Sequence, residues 1–96
     1  MSAQGAGARR PIKLGVLISG SGTNLQAIID RIAAGALDAT IEMVISSRPS
    51  AYGLKRAEDA GIQTMTLSKE IYADPIQADE VIATALRARS VDYVIM

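Results

Sequence analysis

The chain has 96 residues, with ten Lys or Arg against ten Asp or Glu, so its net charge is zero. That balance leaves no cationic surplus for coating a nucleic acid or an anionic membrane. The absence of Cys and His removes disulfides, thiolate zinc sites, thiol nucleophiles and the commonest general acid/base and metal ligand.

An apolar share of 49% suffices for one small core and is too high for disorder. Residues 1–11 are small and polar, with Arg9 and Arg10 near their end and no apolar signal-peptide centre. They are read as a disordered tail, and residues 12–96 as the folded part. No run approaches the ~20 apolar residues of a membrane span, so the expected location is cytoplasmic.

Ile12 to Ser19 (IKLGVLIS) is a continuous apolar run of strand length, which suits a strand buried on both faces. Gly20-Ser-Gly-Thr23 follows. Asn24 to Ala34 then reads as a helix, with Leu25, Ile28, Ile29 and Ile32 on one stripe. Thr23 and Gln26 match a capping box, and Gly35 is placed to end the helix. Thr40 to Ser46 is a second strand, closed by a turn at Ser47-Arg-Pro-Ser50. Ala51 to Ala60 is a second helix, with Ser50 as its expected cap and Gly61 as its terminator. Gln63 to Leu67 is a short third strand. Asp74 caps and Pro75 opens a third helix to about Arg89, with Ile76, Val81, Ile82 and Leu86 inward. Val91 to Met96 is a fourth strand. Strands separated by helices require right-handed crossovers, so the fold is an open parallel α/β sheet in the order 3-2-1-4.

The chemical signal is the turn after the first strand. Gly20 and Gly22 permit unusual backbone and a close approach by ligand. The first N–H groups of the following helix lack intrahelical partners, and its dipole favours an anion there. Gly20, Ser21, Gly22, Thr23 and Asn24 are therefore a candidate phosphate site. A dinucleotide fingerprint would need a third glycine where Leu25 stands, and an acidic residue after the second strand, where Ser46, Ser47 and Arg48 stand. Arg48 could imitate a 2′-phosphate clamp, which leaves an NADP-type or other phosphate-binding module as the alternative. No Lys follows Gly22, so there is no P-loop. No metal site is expected.

Leu17-Ile-Ser-Gly-Ser-Gly-Thr-Asn-Leu-Gln-Ala-Ile-Ile29 resembles the N-terminus of the phosphoribosylglycinamide formyltransferase family. Val44 to Ile62 is similar to that family's second strand and helix, and Asp92 to Met96 to its fourth strand. The resemblance covers about residues 12–96. It implies a Rossmann-like formyltransferase fold and formyl transfer from 10-formyltetrahydrofolate to glycinamide ribonucleotide in purine biosynthesis. It further implies that Gly22, Thr23 and Asn24 hold the substrate phosphate while Gly20 and Ser21 shape the turn. The family's catalytic Asn, His and Asp, and most of its folate pocket, belong to a C-terminal half. The chain is thus expected to be the front half of something longer, with no catalytic residue of its own and no activity alone. A family arginine that reaches the folate corresponds to Pro75 here.

The remaining polar and aromatic residues read as structural. Tyr52 and Gly53 are expected to pack helix on sheet, and Tyr93 to be core or interface. Asp92 is expected to cap or to pair with Arg. Lys55-Arg56 with Glu58-Asp59 is a mixed-sign solvated face. Asp79 and Glu80 point apart on a helix and are not catalytic. An uncovered fourth strand would invite self-association.

Overall fold

The computed structural model describes residues 11–96, so the expected tail lies, apart from Pro11, outside the described residues. The elements are β1 (Ile12–Ile18), α1 (Thr23–Ala33), β2 (Ala39–Ser46), α2 (Tyr52–Asp59), β3 (Thr64–Thr66), α3 (Lys69–Ala73), α4 (Pro75–Ala88) and β4 (Tyr93–Ile95). The four strands form one parallel sheet in the order β3-β2-β1-β4, as the strand–helix alternation requires. Among the described residues no helix is long and apolar enough to cross a membrane.

The apolar strands are sandwiched between two clusters. Val16, Leu25, Val44 and Ala57 pack β1 and β2 against α1 and α2. Met43, Ile45, Leu67, Ala78 and Leu86 pack the other face against α4. Side chains on a strand alternate between faces, yet Ile41 and Val44 share one. The register explains this. Leu14 pairs with Ile41 and Gly15 with Met43, so Glu42 is an inserted residue that resets the alternation.

Both glycine terminators stand where expected. Gly35 (φ +76) and Gly61 (φ +75) are left-handed. Around them Ala36 N–H donates to Arg31 O and Ile62 N–H to Ala57 O, each at 2.9 Å, closing the ends of α1 and α2. Asp74 caps α4 by accepting from the N–H groups of Ile76 and Gln77.

Several expectations require correction. The Thr23–Gln26 capping box does not form. Thr23 is itself the first helical residue, and the left-handed Gly22 (φ 74, ψ 31) stands at the cap. Gln26 Nε2 donates instead to Asp30 Oδ1 at 2.9 Å. The cap of α2 is Ala51 rather than Ser50. Ala51 N–H donates to Arg48 O, which leaves Ser50 inside the turn. The short α3 has no counterpart in the elements read from sequence. It is capped by Ser68 Oγ, which accepts from Ile71 N–H at 3.2 Å. Ile76 is 74% exposed at the start of α4, and Tyr93 is 64% exposed on β4, so neither is core. Among the described residues the Asp92 carboxylate accepts from Lys13 N–H at 2.9 Å and its N–H donates to Lys13 O at 2.7 Å, fastening β4 to β1.

Candidate functional site

The chain leaves β1 at Ile18 and enters α1 at Thr23 through Ser19, Gly20, Ser21 and Gly22. The sharpness of that turn is a property of Gly22. Its φ of +74 is a conformation that costs a residue with a Cβ about 1–2 kcal/mol. Space is the second reason for glycine there. A Cβ on Gly22 would stand 2.6 Å from Gly53 Cα, so backbone of the loop and backbone of α2 are in direct contact. Gly53 is constrained in the same way, since its own Cβ would meet Ile18 Cδ1 at 2.6 Å and Gly22 Cα at 3.1 Å. The packing role expected of Gly53 is thus specific: it lets α2 support the loop.

Leu25, in the first turn of α1, is fully buried and anchors the helix. The first intrahelical bond runs from Gln26 N–H to Gly22 O at 2.9 Å. The N–H groups of Thr23, Asn24 and Leu25 precede it, and none has an acceptor among the described residues. Thr23 and Asn24 are exposed, and α1 has no acidic residue in its first turn to oppose an anion. Gly20, Gly22, Thr23 and Asn24 line one half-open cavity of about 220 Å³, together with Ile95 and Met96. Ser21 belongs to the loop but not to that lining.

Position in the sheet supports a ligand role. Chain connections run from β1 toward β2 and β3, then return past β1 to β4. The crevice between β1 and β4 is the switch point, where open α/β sheets bind ligands at the carboxyl ends of strands. A larger groove of about 630 Å³ adjoins it over the α3/α4 face, sharing Leu17, Ile18, Ser19 and Met96. Tyr72, Pro75 and Asp79 line its outer side, and the buried Ser47 Oγ at its floor has no hydrogen-bond partner among the described residues. Pro75 brings no charge to this groove.

Arg56 is the site residue that sequence reading missed, because its neighbours suggest only a solvated face. Lys55 fits that reading: it pairs with Asp59 at 3.2 Å in full solvent, and that hydrogen bond holds its ammonium above the usual lysine range. Arg56 instead donates from Nε to Ser21 O at 2.7 Å and from Nη1 to Gln26 Oε1 at 3.2 Å, with its guanidinium 5.0 Å from the Tyr52 ring centre. Nothing local marks it, since its partners lie 35 and 30 residues away. Arg48, the candidate 2′-phosphate clamp, is exposed after β2, and Leu25 fills core where a dinucleotide fingerprint has its third glycine. No group of three or more His, Cys, Asp or Glu able to hold a metal occurs among the described residues.

Comparison with known proteins gives this geometry a family. The formyl transferase family matches residues 12–96. Phosphoribosylglycinamide formyltransferase of Haemophilus influenzae is 39% identical over 84 residues, covering 88% of this chain and 40% of that protein. The enzyme of that name from Dictyostelium discoideum is 54% identical over 63 residues, covering 64% of this chain and 31% of that one. The crystal structure of glycinamide ribonucleotide transformylase 1 from Symbiobacterium toebii superposes with a TM-score of 0.82 at 44% identity, over 88% of this chain and 40% of that chain. The matches therefore span about a third to two fifths of the length of these relatives. With its parallel sheet and glycine turn at the switch point, this chain belongs to the formyl transferase family.

Proposed function

We propose that the chain supplies the phosphate-holding part of a phosphoribosylglycinamide formyltransferase. The observation that carries this is the left-handed Gly22 at the head of α1, followed by three N–H groups without acceptors among the described residues, on residues that line a cavity at the switch point. The family match runs over residues 12–96, which includes the loop, and a relative bearing that name covers 88% of the chain. In this reading the N–H groups of Gly22, Thr23 and Asn24 bind the phosphate of glycinamide ribonucleotide. Gly20 and Ser21 set the turn.

The reaction moves a formyl group from 10-formyltetrahydrofolate to the glycinamide amine. The amine nitrogen bonds to the formyl carbon, the bond from that carbon to the folate nitrogen breaks, and a proton passes from the amine to the folate nitrogen. Such a transfer needs an acid/base group within hydrogen-bond reach. The family resemblance gives that role to an Asn, a His and an Asp of a C-terminal half, and this chain, which has no His, contributes binding. The groove beside the phosphate cavity would take part of the folate. Pro75 there replaces the charged contact that the family resemblance implies. The cytoplasm is the compartment this reading implies.

Calorimetric titration with glycinamide ribonucleotide and, separately, with NADP tests the reading. Heat from the first and none from the second is expected. Binding of NADP alone would replace it with the dinucleotide alternative.

A further inference from the structure

We propose that α2 aims the donors of the glycine loop, with Arg56 as the positioning residue. The inference rests on the phosphate reading of that loop. Three successive loop carbonyls are tied down. Gly20 O accepts from Gly53 N–H at 3.1 Å, Ser21 O from Arg56 Nε at 2.7 Å, and Gly22 O from Gln26 N–H at 2.9 Å. The described chain has no cis peptide bond. In a planar trans peptide the carbonyl of one residue and the N–H of the next point in opposite directions. Fixing those three carbonyls therefore aims the N–H groups of Ser21, Gly22 and Thr23 away from the groups that hold them.

For Ser21 and Gly22 the holding groups belong to α2. That helix lies over β2 and β3. The small cavity lies on the opposite side of β1, against Ile95 of β4 and Met96 after it. Successive N–H groups turned to one side form an anion-binding concavity, and their direction is what an unanchored glycine turn would lose.

Arg56 is built for this task. Its planar fork spends one donor on Ser21 O and another on Gln26 Oε1, and Gln26 is held in turn by Asp30. Its guanidinium also stacks on Tyr52. It thereby couples α2 to both the loop and the first turn of α1. A lysine would keep the charge but not the fork.

The test is titration with inorganic phosphate at constant ionic strength, followed by amide NMR of Ser21, Gly22 and Thr23. The chain is compared with Arg56→Ala and Arg56→Lys. Arg56→Ala is expected to weaken binding about tenfold, equivalent to about 1.4 kcal/mol. The amides of the buried Val44 and Ile45 should stay in place. Arg56→Lys is expected to weaken it about threefold despite the retained charge. Arg56→Lys with unchanged affinity would show that charge alone matters and would overturn the positioning role. Arg56→Ala within twofold of the unsubstituted chain would overturn it too, while leaving the phosphate reading intact. If Arg56→Ala loses its folded amide dispersion, Arg56→Lys decides by the same criterion. An unsubstituted chain whose loop amides ignore phosphate would overturn both readings together.

Discussion

Replacing Gly22 by Ala separates the two reasons for a glycine in the loop. The first is conformation: at φ +74 a Cβ costs about 1–2 kcal/mol. The second is contact, because that Cβ would lie 2.6 Å from Gly53 Cα. Carbon atoms pack comfortably at roughly 3.5–4 Å, and a backbone atom cannot rotate out of the way. Relief requires α2 to move off the loop, straining the Gly53–Gly20 and Arg56–Ser21 hydrogen bonds. Overpacking of this kind costs about 1–3 kcal/mol, so the total is about 2–5 kcal/mol. Two other glycines calibrate the sum. Gly35 has φ +76 but nothing within 4 Å of its Cβ position, so Gly35→Ala should show the conformational cost alone. Gly20 is not left-handed and is equally open, so Gly20→Ala should be close to neutral. Urea unfolding followed by circular dichroism gives the three values, provided the denaturant slope is unchanged. If Gly22→Ala costs no more than Gly35→Ala, the contact between loop and α2 is not what the structure shows, and the reasoning fails.

The other expectations are simpler. Purified chain incubated with glycinamide ribonucleotide and 10-formyltetrahydrofolate should show no formyl transfer above background; turnover comparable to a complete enzyme would contradict the assignment of the acid/base to other residues. Leu25→Ala should destabilise the fold by about 2–5 kcal/mol in the same urea assay, since the side chain is fully buried. Asp74→Ala should cost about 1 kcal/mol by removing the acceptor for Ile76 and Gln77 N–H, and a neutral result would remove the cap from the account. Asp59→Asn should lower the Lys55 pKa measured by NMR. The stabilisation that raised pKa represents is present below the unfolded lysine value, neutral pH included, and is lost as pH rises through the folded one, so only its loss falls at alkaline pH. β4 is an edge strand with Tyr93 and Val94 exposed, and concentration-dependent association in sedimentation is expected; a monomer at every concentration would count against it.

The sequence displays what is local or periodic. IKLGVLIS is apolar at successive positions because β1 is covered on both faces, and the helices between strands dictate parallel pairing. Asp74-Pro75, Gly35 and Gly61 mark ends because their roles depend on one residue's own backbone or side chain. The candidate loop was legible for the same reason. Its support was not. Gly53 and Arg56 matter only once the fold brings α2 against residues more than thirty positions earlier. Thr23 misled because a threonine three residues before a glutamine suits a capping box, whereas a left-handed glycine immediately before it takes the cap position. The inserted Glu42 left no mark in TIEMVIS, where either alternation can be read. The five-residue α3 is too short for periodicity to reveal.

Gly22, Thr23 and Asn24 are proposed to hold a phosphoribosyl phosphate. Amide NMR of this chain during titration with glycinamide ribonucleotide tests it most directly. Saturable shifts are expected at these three amides, with spillover to Ser21. The dissociation constant should be millimolar, about −4 kcal/mol, because little outside the loop grips the ligand. Saturable shifts confined to other loops, with these three amides unmoved, would contradict it.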